Sequence, residues 1–125
     1  MNFPITLHGT VKHGNKIGTS INVPTANIVP TEDITSLAFG VYYSSVRVEG
    51  REYMSITNIG RKPTIKDTAD VNVESFIYDF EGDLYDKNIE VILYEFTRPE
   101  MKFDSLEALT EQINKDLEAG INYVR

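Results

Sequence analysis

Segments typical of β-strands fill most of this chain, and they constrain its fold more than any other feature. The run Gly40–Val48 is rich in β-branched and aromatic residues, and Glu49-Gly50 offers a tight turn into a second such run, residues 51–59. These two runs are predicted to pair as an antiparallel hairpin. Further strands are predicted over residues 5–11, 72–80 and 88–96.

The C-terminal part of the chain changes to a helical pattern. Asp104, with Glu107 three residues later, predicts the start of a helix, and Gly120 predicts its C-terminal cap. An apolar stripe at spacings of three and four is formed by Leu106, Leu109, Ile113 and Leu117. We therefore predict an all-β fold with one C-terminal helix, in which about six antiparallel strands form a closed β-barrel without free edges.

Composition narrows the possible classes of protein. The 125 residues fit one domain and include no cysteine, which excludes a disulfide scaffold, a thiolate metal site and a cysteine nucleophile. A net charge of −7 argues against nucleic acid as a main partner. Because no apolar run is long enough for a membrane span and the first residues lack a signal-peptide pattern, we expect a cytoplasmic protein without a membrane partner. We also expect it to be a monomer.

Two long connections interrupt the strands, at residues 14–30 and 61–70. Connections longer than about 12 residues in a compact domain are usually functional or disordered. Neither contains a common phosphate-binding glycine motif. The two histidines, His8 and His13, lie five residues apart and should face opposite sides of a strand, so we do not expect them to bind a metal together.

The sequence PTAN at residues 24–27 carries a chemical signal within the first connection. Thr25 and Asn27 lie two residues apart on an extended segment, so their side chains point the same way, and both offer oxygen ligands that suit Mg²⁺. Gly14 and Gly18 would permit close approach of a polyphosphate. The alternative is a proline-initiated turn in which the same two side chains bond local backbone.

Glu74 is the second candidate, because it lies on a predicted strand on the same side as Phe76 and Tyr78. A carboxylate on such a face is either a rim residue in water or a buried group. Burial would raise its pKa and make it a better proton acceptor.

The third candidate is the segment between the last strand and the helix, residues 97–103. Arg98, Met101 and Phe103 could stack on and hydrogen-bond a flat heteroaromatic ligand. The alternative is a connecting segment in which Phe103 packs beneath the helix.

In their order and spacing, these segments resemble the riboflavin kinase family, including the kinase module of bacterial bifunctional riboflavin kinase/FAD synthetases. The resemblance covers nearly the whole chain, so residues 1–125 are expected to form one riboflavin kinase domain. It rests on the segments GTVKHG, VPTANI, FGVYY, NIGRKPTI, VESFIYDF, GDLY and RPEMKFDSLEALTEQINKD.

The resemblance implies the reaction riboflavin + ATP → FMN + ADP, with Mg²⁺ or another divalent cation. It implies that Glu74 is the general base and that Thr25 and Asn27 bind the metal and the nucleotide phosphates. Other residues expected at the nucleotide site are Gly14, Lys16, Gly18, Ile77, Asp79 and Tyr85. Those expected at the flavin site are Arg98, Glu100, Met101 and Phe103.

The chain also departs from the family pattern just before PTAN. Thr19 stands where arginine is common in the family, and Asn22 stands where glycine is common. These departures predict weaker nucleotide affinity, or a slower and more mobile flap formed by the loop before PTAN, unless Lys16 reaches the phosphates. No adenylyltransferase half is recognised, so this segment should not convert FMN to FAD, although a full-length protein could carry such a domain.

Two other functions remain open at this stage. A flavin-binding barrel that acts as a carrier or sensor would need Arg98 but neither Glu74 nor Thr25. A small barrel that binds single-stranded nucleic acid is disfavoured by the net charge.

Overall fold

The structure, a computed structural model, describes residues 3–12, 24–61 and 71–123. These ranges contain one antiparallel sheet with the strand order β1-β6-β3-β4-β5-β2, followed by one helix, as predicted. The elements are β1 (Ile5–Thr10), β2 (Thr25–Ile28), β3 (Gly40–Val48), β4 (Arg51–Arg61), β5 (Val71–Ile77), β6 (Asn88–Pro99) and α1 (Leu106–Ile121).

The predicted β3–β4 hairpin is present, with Val48 opposite Arg51. Its two turn residues have left-handed backbone, with φ of 50° at Glu49 and 77° at Gly50, which matches the twist of the flanking strands. Gly50 is needed for this conformation and not for space, because a Cβ placed there would meet nothing within 4 Å.

The prediction of a closed barrel is wrong, because the sheet forms a half-barrel that is open between β1 and β2. In the described ranges these two edges share one backbone bridge, between Lys12 and Asn27, and a hydrogen bond from Thr31 N to His8 O of 2.9 Å. The physical reason is that β2 has only four residues, so the edge that faces β1 is short, while its other edge pairs with β5. Side-chain packing, with Ile28 directly over Gly9, takes the place of a strand ladder at this seam.

The helix is present, but both of its predicted caps lie elsewhere. Ser105, and not Asp104, is the N-cap, because its extended backbone lets its hydroxyl accept from Ala108 N at 3.1 Å. Gly120 lies inside the last turn, where a side chain would collide with Tyr78, and Asn122 is the C-cap. No helix in the described residues is long and apolar enough to cross a bilayer.

Apolar side chains cover both faces of the sheet. The larger core lies on the face away from α1 and includes Leu7, Tyr42, Ile59, Val73 and Leu93. The other face packs against α1, and this second core contains Val41, Ile56, Phe76, Ile113 and Leu117. From the predicted stripe, Leu109 packs at the edge of this second core and Leu106 is exposed.

The larger core contains a row of buried hydroxyl groups that crosses β3, β4 and β5. Ser44 Oγ lies 2.7 Å from both Ser55 Oγ and Thr57 Oγ1, and Thr57 Oγ1 lies 2.8 Å from Ser75 Oγ. All four residues are nearly inaccessible to solvent. Since a buried hydroxyl without a partner is costly, the row stabilises the sheet only while each member is bonded.

We expect Thr57→Val to lower the free energy of unfolding by about 2 kcal/mol, because it keeps the shape but removes two hydrogen bonds. Urea denaturation would measure this loss. Thr57→Ser is the matched control, which keeps the hydroxyl and should cost about 1 kcal/mol for the lost methyl group. Equal stability of Thr57→Val and the wild type would show that the row contributes nothing.

Candidate active site

The antiparallel register aligns two predicted site residues, Asn27 and Glu74, with a third polar residue, Asn58, in one row across the sheet. This row lies on the face that α1 covers. Glu74 on β5 lies opposite Asn27 on β2 and, on its other side, opposite Asn58 on β4. Residues directly opposite in antiparallel strands point to the same face, so Glu74 is flanked by two asparagines.

The row continues across the sheet to Arg98. Asn58 lies opposite Val41 on β3, and Val41 lies opposite Arg98 on β6. We call this set, Asn27, Glu74, Asn58, Val41 and Arg98, the site row. Glu74 and Arg98 are three strand spacings apart, about 14 Å along the sheet.

Glu74 has the most unusual environment in the site row. It is 5% exposed, and of the buried side-chain oxygens and nitrogens in the described ranges, its Oε2 alone has no hydrogen-bond partner. Burial raises the pKa of Glu74 to about 7, because loss of hydration disfavours the charged form. A carboxylate of this kind is suited to accept a proton near neutral pH.

Asn27 and Thr25 present oxygen atoms beside this carboxylate. Asn27 is 5% exposed, and its Oδ1 accepts a hydrogen bond of 3.1 Å from Asn72 Nδ2. Thr25 lies two residues earlier on β2 and therefore on the same face. The hydroxyl and carboxamide oxygens, with the orphaned Glu74 Oε2 nearby, fit a hard divalent cation that keeps water or phosphate as its other ligands.

The described ranges contain no cluster of three His, Asp or Glu side chains that would hold a metal by themselves.

Arg98 lies in the last part of β6 and not in the connecting segment where it was predicted. Its Nε donates to Asp116 Oδ1 at 2.9 Å and its Nη2 to Asp116 Oδ2 at 2.6 Å, while Nη1 donates to Pro99 O at 3.0 Å. Asp116 belongs to α1, so this ion pair joins the helix to the end of the site row.

The other predicted flavin-site residues follow Arg98. Glu100 lies over Gly60, where a Cβ would overlap its carboxylate, and this places it near Asn58 on the face of the site row. Met101 is exposed and Phe103 is partly buried ahead of α1. The absence of a side chain at Gly60 thus makes room for a second carboxylate close to the row.

The predicted nucleotide-site residues are only partly brought together. Ile77 points to the larger core, on the face opposite Glu74, and its N donates to Pro24 O at 2.9 Å, which leaves its backbone beside the PTAN segment. Asp79 has a positive φ of 55° in the turn after β5, and Tyr85 is exposed. Gly14, Lys16 and Gly18, together with Thr19 and Asn22, lie outside the described residues.

A separate cleft of about 740 Å³ is lined by residues of β1, the start of β6 and the β3–β4 turn, together with residues on both sides of the β1–β2 seam. Its charged residues include His8, whose Nδ1 lies 2.5 Å from Glu32 Oε2 and whose Nε2 lies 3.3 Å from Glu90 Oε2. None of the predicted site residues within residues 24–61 and 71–123 lines this cleft. His8 is exposed, and its pKa is raised by the hydrogen bond to Glu32.

Sequence analysis missed Asn58, Asn72 and Asp116. Asn58 was within reach, because it lies in the NIG segment of the predicted hairpin and alternates onto the face of the site row. Asn72 donates a hydrogen bond to Asn27, 45 residues earlier in the sequence, and Asp116 accepts hydrogen bonds from Arg98, 18 residues earlier. Local sequence patterns do not predict contacts between residues so far apart in the chain.

The fold and the site row define a class of protein, an antiparallel half-barrel in which one buried carboxylate faces hydroxyl and carboxamide oxygens. Comparison with known families makes the assignment specific. The family described as "Flavokinase: Riboflavin kinase" matches residues 1–124, so the chain belongs to the riboflavin kinase family.

Individual proteins agree with this assignment. The chain is 40% identical over 116 residues to the bifunctional riboflavin kinase/FMN adenylyltransferase of Listeria monocytogenes, which covers 93% of this chain and 37% of that protein. The chain therefore spans little more than a third of this relative.

Two solved structures are similar as well. The first, described as a macrolide-efflux protein from Streptococcus pneumoniae, has a TM-score of 0.84 and 32% identity, with 97% of this chain and 40% of that chain covered. The second, riboflavin kinase from Trypanosoma brucei, has a TM-score of 0.60 and 25% identity, with 94% of this chain and 77% of that chain covered.

Proposed function

We propose that this chain transfers the γ-phosphoryl group of ATP to the ribityl 5′-hydroxyl of riboflavin, which gives FMN and ADP. The observation that carries the proposal is the buried, unpartnered Oε2 of Glu74 beside the oxygen donors of β2. Residues 1–125 would form the kinase module, and the adenylyltransferase named in the Listeria relative would correspond to a different part of that protein.

Glu74 would act as the general base. A primary alcohol is a weak nucleophile at neutral pH, and the 5′-hydroxyl proton would move to Glu74 Oε2 as the new O–P bond forms and the bond from the γ-phosphorus to the bridging oxygen of ADP breaks. The low exposure of Glu74 would keep bulk water away from this proton transfer.

Thr25 and Asn27 would hold a divalent cation through their side-chain oxygens. When bound, such a cation neutralises charge on the transferring phosphate. Asn72 would fix the sense of the Asn27 carboxamide, because its Nδ2 donates to Oδ1 and leaves the second lone pair of that oxygen for the cation.

The flavin ring would lie towards Arg98. Glu74 and Arg98 lie about 14 Å apart along the site row, a separation that the ribityl chain and ring together could span. Glu100 and Met101 would border the ring from the segment that follows β6.

The proposal is tested by incubating the chain with riboflavin, ATP and Mg²⁺ and separating FMN from riboflavin. We expect FMN to form, and kcat/KM for riboflavin to fall about tenfold per pH unit below about pH 7, where Glu74 becomes protonated. Initial rates from about pH 5 to about pH 9 would measure this profile.

Binding of riboflavin without any FMN would instead indicate a carrier or sensor. An acid limb near pH 4.5, the ordinary range of a glutamate, would contradict the assignment of the base to Glu74.

A further inference from the structure

Asp116 holds the guanidinium of Arg98 from the helix side. The two hydrogen bonds of 2.9 and 2.6 Å form a bidentate pair, and the side chains are 10% and 20% exposed. Gln112 donates to Asp116 Oδ1 at 3.1 Å and so fixes the carboxylate as well. Bidentate pairs of this kind have a defined orientation in addition to their charge.

These contacts determine which part of Arg98 is available to a ligand. Asp116 occupies the Nε–Nη2 edge, and Pro99 O occupies part of Nη1. These three bonds leave one N–H on Nη1, one N–H on Nη2 and the flat faces of the guanidinium for a ligand, and a guanidinium face stacks favourably on aromatic rings. Because Asp116 neutralises Arg98, this end of the site row has no net positive charge. A neutral ring therefore suits this end better than a phosphate does.

We propose that Asp116 is a positioning residue for flavin binding, which orients Arg98 so that its guanidinium plane stacks on the isoalloxazine ring. This inference rests on the kinase activity proposed above. It assigns the helix a part in substrate affinity, in addition to its packing on the sheet.

A purely structural clamp between α1 and β6 would give a different result. Loss of such a clamp would lower stability and would change the kinetic constants for both substrates together. Loss of a positioning residue would change the constants for riboflavin and leave those for MgATP unaltered.

The test compares Asp116→Asn with the control Glu118→Gln, an exposed position on the same helix. For Asp116→Asn we expect the riboflavin Kd, measured by quenching of flavin fluorescence, and the riboflavin KM to rise about tenfold, while kcat and the MgATP KM stay within about twofold. Glu118→Gln should match the wild type in all four constants. Wild-type riboflavin affinity in Asp116→Asn would overturn the inference.

Two further variants separate stacking from charge. Arg98→Lys keeps the charge but has no plane, so it should lose as much riboflavin affinity as Arg98→Ala. In addition, Asp116→Asn should weaken binding no further once Arg98 is alanine. Wild-type riboflavin affinity in the Arg98→Lys variant would overturn the proposal that the guanidinium stacks on the ring.

If Asp116→Asn does not fold, Gln112→Ala provides the test, because it removes the hydrogen bond to Asp116 and keeps the ion pair. It should raise the riboflavin Kd about two- to threefold with an unchanged MgATP KM, and no change would overturn the inference. Failure of the wild type to form FMN would instead overturn the proposed function, so the two failures are distinguishable.

Discussion

Replacing Glu74 with glutamine should lower the rate of FMN formation by about 10²- to 10⁴-fold. The amide has nearly the same shape but cannot accept the proton of the 5′-hydroxyl. Riboflavin binding, followed by fluorescence quenching, should change less than twofold, since the charge that is removed lies three strand spacings from Arg98. Rates at saturating riboflavin and MgATP measure the effect.

The same substitution should stabilise the protein at alkaline pH. The pKa of Glu74 is raised from 4.5 to about 7, so the folded state binds the proton more tightly than the unfolded state does. Stability therefore falls as pH rises from about 4.5 to about 7, and above that range the folded state carries a buried charge. At 1.36 kcal/mol per pKa unit, this cost is on the order of 3 kcal/mol.

Glutamine also leaves a buried amide poorly paired, a cost that does not depend on pH. The clear measurement is therefore the stability of Glu74→Gln relative to the wild type at two pH values, which should increase by about 3 kcal/mol between about pH 4.5 and about pH 8. Glu95→Gln, at an exposed position on β6, is the control and should show no such change.

The rate of FMN formation tests the catalytic role separately. A Glu74→Gln variant that turns over at the wild-type rate would contradict the role of general base.

The parts of the site that could be predicted are those set by local alternation. On β5, Val73 and Ile77 face the larger core while Glu74 and Phe76 face α1, as the period of two requires. The same period of two puts Thr25 and Asn27 on the same face of β2. The hairpin was also predictable, because Gly50 readily adopts the left-handed backbone that a two-residue turn requires.

The parts that could not be predicted depend on contacts distant in sequence. The pairing of Asn58 with Glu74 is set by the β4–β5 register across a long connection, and the ion pair of Arg98 with Asp116 is set by where α1 packs. The prediction that the sheet closes into a barrel was wrong, because the number of strands does not determine whether the two edge strands, β1 and β2, pair with each other. At the seam, Ile28 packs over Gly9 instead of adding a ladder.

Electrostatics gives Asn27 a larger role than its neutral side chain suggests. In the described part of the site row, Arg98 is the one cationic side chain, and Asp116 already neutralises it. The chain carries a net charge of −7, so a polyphosphate at β2 would face an acidic protein. A cation on Asn27 and Thr25 would offset this repulsion, and nucleotide binding would then depend on these two proposed oxygen ligands.

We therefore expect Asn27→Ala to weaken the binding of Mn²⁺ in the presence of ADP by about 100-fold, because it would remove the proposed cation ligand and removes the acceptor of Asn72. Electron paramagnetic resonance of free Mn²⁺ measures this without turnover. Asn72→Ala is the matched comparison, which removes only the partner of that ligand and should cost about tenfold. Riboflavin affinity should be unchanged in both variants, because Arg98 lies at the other end of the site row. Wild-type Mn²⁺ binding in a folded Asn27→Ala protein would show that β2 does not hold the cation, and the phosphates would then need a different counter-charge.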